Sequence, residues 1–182
     1  MKIVAPFVIA FILAGCHDTP QSEPAQLKTE NQQNHLSSPA LYAKANTYLD
    51  NGELHAAKAA LQMAIDQGDI PSKELLGVLL LNDDNRIDRL KGFQLITDAA
   101  DTNWSSAQFY LGSCLYSGGC GLPENKSLSL YWLRRALDNG ETGAKMMIGF
   151  IEEELGHIDI TNDEFRKNQR WVEQQLKTAP LS

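Results

Sequence analysis

From Ser38 to Leu176, apolar side chains recur at intervals of three and four residues, and each run ends in a short polar or glycine-bearing break. That period gathers the apolar positions on one face of a helix, so the pattern predicts a succession of amphipathic helices. Ala40, Leu41, Ala45 and Tyr48 form a first stripe, closed by Asp50-Asn51-Gly52; Leu54, Ala57, Leu61, Ala64 and Ile65 form a second, closed at Gly68. Pro71, suited to a first helical turn, opens a third with Leu75, Leu76, Leu79 and Leu80. Asn82-Asp83-Asp84-Asn85 breaks it before Leu90, Phe93, Ile96 and Ala100. Ala107, Leu111, Cys114 and Leu115 precede the loop 117–123, and Leu130, Leu133 and Leu137 follow it. The next run carries Met146, Met147, Ile148 and Ile151. Thr161 with Glu164 three residues on reads as a capping box that opens a last helix bearing Phe165, Trp171 and Leu176. Glu152, Glu153 and Glu154, with Arg166, Lys167 and Arg170, then supply the solvated outer face of a terminal helix pair.

The stripes share a register. Gly77 and Gly112 are 35 residues apart, and Gly112 and Gly149 are 37 apart. Leu61, Ile96 and Leu133 step by the same 35 and 37, as do Ala64, Ala99 and Ala136. Gly92 and Ser129 occupy the place of Ala57, so a small residue returns at one register and two helix backbones are expected to cross closely there. A period of this length marks helix pairs that bury their apolar faces by stacking on one another. The predicted fold is therefore all-α, a right-handed α-solenoid of about four antiparallel helix pairs over residues 39–178, with a short tail at 179–182.

Two family resemblances follow from those residues. Ala45, Tyr48, Gly52, Ala57, Leu61 and Ala64 resemble one tetratricopeptide repeat. Residues 68–149 resemble the Sel-one-like repeat, in which an alanine and a Leu-Gly pair precede a glycine loop and a tryptophan-bearing helix. Ala107, Leu111-Gly112, Gly119, Gly121-Leu122, Trp132, Arg135-Ala136 and Gly140 match in order. One extra residue lies between Gly112 and Gly119, and the preceding unit lacks the glycine loop.

The first fifteen residues stand apart. Met1-Lys2 is a short basic start and 3–13 an apolar stretch too short to span a bilayer of roughly 30 Å, so the segment reads as a cleaved export signal. Its end, Leu13-Ala14-Gly15-Cys16, resembles a bacterial lipobox, which implies that Cys16 becomes the acylated first residue. Two or three acyl chains at about 0.8 kcal/mol per buried CH₂ would hold the protein to a membrane. Position 17 is His and not the Asp that favours inner-membrane retention in enterobacterial lipoproteins, so the expected address is the outer membrane, facing the periplasm. Residues 17–38, rich in Gln, Asn, Ser, Pro and Glu without an aromatic side chain, read as a flexible tether. Its 22 residues would set the folded part some 25 Å from the lipid on average.

Charge narrows the partners. The formal net charge is −7, and removal of the first fifteen residues takes away one lysine and no acid, leaving −8. That balance repels nucleic acid and anionic head groups and favours a basic protein partner.

Little in the chain supplies chemistry. Gly121-Leu122-Pro123-Glu124-Asn125-Lys126-Ser127 has the ending of a phosphate loop, but Asn125 stands where the second glycine is required. His17, His35, His55 and His157 are scattered, so no metal site is expected. No catalytic residue, cofactor or small-molecule substrate is inferred. In a periplasmic protein Cys114 and Cys120, six apart across a glycine-rich turn, read as a disulfide; two separate thiols, with Cys114 a small core residue, are the alternative. Phe109-Tyr110, Tyr131-Trp132 and Met146-Met147 are partner anchors or core residues.

A non-catalytic protein-binding scaffold is the expected function. Some lipoproteins resembling this one are immunity proteins that neutralise phospholipase toxins delivered by neighbouring cells; others assist assembly of pili, secretins or envelope machines. Cysteine-rich relatives of the repeat have been credited with penicillin binding or hydrolysis, but they carry a cysteine pair in nearly every unit. The expected binding face is the concave side formed by the first helix of each pair, sampled by Tyr42, Lys73, Phe109 and Met146.

Overall fold

In a computed structural model, residues 36–178 are described. The export segment, Cys16, nearly all of the predicted tether and the tail 179–182 lie outside them. Eight helices follow in order: α1 Ser38–Asp50, α2 Leu54–Asp66, α3 Ile70–Leu81, α4 Arg86–Asp101, α5 Ser105–Ser117, α6 Lys126–Asp138, α7 Ala144–Leu155 and α8 Asn162–Thr178. No strand occurs among the described residues, so the fold is all-α.

The helix starts are written in the sequence. Asp69 accepts the Ser72 amide at 2.9 Å ahead of α3, Asn85 accepts that of Ile87 at 2.9 Å ahead of α4, and Asn125 that of Leu128 at 2.9 Å ahead of α6. Each satisfies an amide that has no partner inside its helix. The capping box is present at α8: the Thr161 hydroxyl accepts the Glu164 amide at 3.2 Å, and Glu164 accepts the Thr161 amide at 2.9 Å. The Thr161 amide, and after it the hydroxyl, holds the Glu164 carboxyl below the usual glutamate range.

Packing from α1 to α7 is chiefly between chain neighbours, each helix against the one before and the one after. The shared small residues sit where helices cross. A Cβ on Gly77 would strike Ile96 of α4, and one on Gly92 would lie 2.6 Å from the Gly77 carbonyl oxygen and 2.7 Å from the Leu81 nitrogen. In the next hairpin a Cβ on Gly112 would lie 2.6 Å from Leu133 Cγ, and the Ser129 hydroxyl donates to the Gly112 carbonyl at 2.6 Å. Around these crossings lie three clusters of buried side chains. The central one includes Phe93, Ile96, Leu111, Leu115, Leu128 and Trp132.

The last helix departs from the expected terminal pair. α8 packs chiefly on α4 and α6, and not beside α7. Phe165 stacks on Tyr131 at 4.1 Å between ring centroids and meets Trp132 edge-on at 5.5 Å, while Val172 and Leu176 complete the central cluster. Beside α7, Ile158 and Ile160 of the connecting segment pack on the cluster of Leu130, Leu133, Ile148 and Ile151. The predicted solvated face is also partly engaged: Glu152 pairs with Arg134 at 2.6 Å and Glu154 pairs with Lys126.

Two outcomes are expected. Gly92→Ala, whose Cβ meets backbone, should cost about 3 kcal/mol, and Gly112→Ala, whose Cβ meets the buried Leu133 side chain first, about 2 kcal/mol; urea unfolding of the two variants gives the order. Because the folded Glu164 carboxyl lies below its unfolded value, its contribution is complete above the ordinary glutamate range and is lost as pH falls through the lowered value. Glu164→Gln should therefore flatten part of the acid limb of a stability–pH curve.

Candidate protein-binding face

An open groove crosses the first helices of the chain. Tyr42 of α1, Pro71, Glu74, Leu75 and Val78 of α3, and Trp104 and Ser106 at the start of α5 line a hollow of about 250 Å³. A second hollow of about 250 Å³ shares Tyr42 and Pro71 and adds Pro39 and Asp69. Local sequence accounts for the walls. Asp69 and Pro71 fix the first turn of α3, and Trp104 occupies the N-cap position of α5, where its indole leaves the helix stripe and remains 38% exposed.

Glu74 holds the groove's far wall. Its carboxylate accepts the Trp104 indole N–H and, at 2.6 Å, the Ser106 hydroxyl. The indole is thereby oriented before any ligand arrives, which reduces the ordering cost of binding. Nearby, burial pushes the Tyr110 hydroxyl pKa up; a hydrogen bond with Asn82 opposes the shift and the Glu74 charge adds to it. Tyr110 therefore remains a neutral phenol. Aromatic faces, a proline and two aliphatic side chains around one carboxylate suit an apolar side chain of a protein with a basic neighbour.

The four residues expected on this face are distributed unevenly. Tyr42 lines both hollows. Lys73 is half-buried on α3 and lines neither; its neighbour Glu74 does. Phe109 is half-buried against the cluster containing Ala144 and Ile148, and its ring atoms lie near Gly143 at the start of α7. Met146 is 68% exposed on α7. Thus the groove gathers Tyr42 alone among the four. Trp104, Glu74 and Val78 line it without being marked by the periodic pattern. Trp104 left a signal, a large aromatic residue outside the apolar stripes in a turn between pairs. Of the other aromatic and Met pairs, Trp132 is 1% exposed and belongs to the core, and Ser113 donates to the Met147 sulfur at 3.5 Å.

Cys114 and Cys120 are joined, their Cα atoms 5.5 Å apart. The bridge closes the loop that follows α5, where Gly118 ends the helix in the left-handed region at φ 65°. At Gly121 a Cβ would lie 2.6 Å from the Leu81 carbonyl oxygen, so this loop rests directly on the end of α3. Another hollow, of about 390 Å³, lies away from the groove among Ser127, Ile158, Asp159, Ile160, Glu164, Lys167 and Asn168. Among the described residues, no three His, Cys, Asp or Glu side chains converge as metal ligands, and no helix is long and apolar enough to cross a membrane.

Compared with protein-family models, with curated proteins and with solved structures, the chain shows no significant match.

Closing this short loop restricts the unfolded chain, and Cys114→Ser with Cys120→Ser should lower stability by about 2 kcal/mol. Thermal unfolding with and without a reductant provides the same comparison on the unaltered chain.

Proposed function

We propose that this protein is a lipid-anchored scaffold that binds a protein partner in the groove between Tyr42 and Trp104. The supporting observation is the groove itself, which crosses three successive first helices between two partly exposed aromatic side chains, one of them already held by Glu74. On this reading the helix pairs form a right-handed solenoid of Sel-one-like repeats. The equivalent close crossings at Gly77 and Gly112 support it, since a solenoid requires the same contact to recur from unit to unit.

The address in this proposal follows from the resemblance of Leu13-Ala14-Gly15-Cys16 to a lipobox, with Cys16 acylated and the folded part facing the periplasm from the outer membrane. The specific role is immunity. A tethered acidic scaffold at the membrane surface intercepts an incoming toxin, such as a phospholipase, before it reaches its lipid substrate. An excess of negative charge speeds the encounter with a basic face of that toxin.

A deletion strain challenged by toxin-armed siblings tests the role. Survival should fall, recover with the unaltered gene, and recover poorly with Tyr42→Ala/Trp104→Ala. Each aromatic truncation should cost about 2 kcal/mol of binding, roughly thirtyfold in affinity. If the deletion strain survives as its parent does, immunity is wrong; co-purification of the full chain with pilus or secretin subunits would then assign it to envelope assembly.

A further inference from the structure

Gly77, Gly112 and Gly149 occupy one register of successive first helices. At the first two, the missing side chain makes room for the following helix. At Gly149 a Cβ would meet nothing within 4 Å, because α8 has gone to α4 and α6. The seat that two earlier units fill is thus open on α7. Its surroundings are apolar: Met146 is 68% exposed and Phe150 is 50% exposed, and both fall within one turn of Gly149.

The occupant can be read from charge and from a precedent in the same chain. Lys145 and Glu153 are exposed on this stripe, each four residues from Gly149, and neither joins an ion pair among the described residues. The neighbouring Glu152 and Glu154, by contrast, are held by Arg134 and Lys126. An antiparallel helix crossing at Gly149 with an acid opposite Lys145 and a base opposite Glu153 would complement both charges. A second α7 does both, since reversing its direction about Gly149 exchanges the two charges. It also presents a glycine at the crossing. The hairpin of α3 and α4 already packs in that manner, Gly77 against Gly92.

We infer that α7 is a self-association surface, on which a second copy of this chain packs antiparallel about Gly149. The two copies place Met146 and Phe150 against each other and form two symmetric Lys145–Glu153 pairs. This is an isologous contact, closed by a twofold axis and therefore limited to dimers. It is distinct from the Tyr42–Trp104 groove and does not rest on the role proposed for it. One helix face buries less than a standard interface, so a weak dimer follows, with Kd on the order of tens of micromolar.

The test is the mass of the full chain in mild detergent, followed by sedimentation as a function of concentration. A dimer is expected for the unaltered chain and a monomer for Phe150→Asp, with circular dichroism unchanged because Phe150 is not part of the buried core. Lys145→Glu and Glu153→Lys should each weaken the dimer several-fold, and the two together in one chain should restore it. A monomer up to about 0.5 mM, as expected if a foreign helix or nothing takes the seat, overturns the inference. A dimer that survives Phe150→Asp, or charge variants that fail to rescue each other, overturns it equally.

Discussion

The fold depends on how closely its helices can approach. At Gly92 the nearest atoms to a missing side chain are the backbone of α3 itself, and at Gly112 they belong to Leu133. A helix interior is a poor place for glycine, costing up to about 1 kcal/mol relative to alanine. That cost is offset by what the contact allows: backbones near enough for the Ser129 hydroxyl to reach a main-chain carbonyl of α5, and large buried side chains beside the crossing. The central buried side chains, including Phe93, Ile96 and Leu111, pack around those crossings.

This constraint also explains what could be read in advance. Small residues at one register, with apolar residues at fixed offsets, encode helix pairs and their crossing points without reference to the rest of the chain. Thus α1 to α7 appear close to where periodicity puts them, and Thr161 with Glu164 marks the start of α8 by a chemistry confined to a few residues; Asp69, Asn85 and Asn125 cap in the same local way, though the periodic pattern does not single them out. The placement of α8 was not legible. Phe165, Val172 and Leu176 announce an apolar stripe, but a stripe states that it will be covered and not by what. Its partners, Tyr131 and Trp132, occupy a stripe of their own more than thirty residues earlier.

The groove was half legible for a related reason. Tyr42 belongs to a helix with a recognisable period, whereas Trp104 lies in a turn, and its orientation comes from a carboxylate 30 residues away. Side chains that leave the periodic pattern are governed by non-local hydrogen bonds, which a single sequence does not display. The disulfide lies between these extremes. Spacing made it geometrically possible, but the contact of its loop with Leu81, which braces one helix hairpin on another, is a tertiary fact.

The route of α8 changes how the molecule must come together. A row of helices that touch only their neighbours can form from either end and fray from either end, because each added pair needs only the one before it. Here the central cluster lacks Val172 and Leu176 until the final helix has been synthesised and has turned back across α4 and α6. Contacts between distant parts of a chain slow folding, and they also couple the parts that they join. The middle of the protein is therefore completed last, and its loss and the loss of the carboxy-terminal helix are one cooperative event.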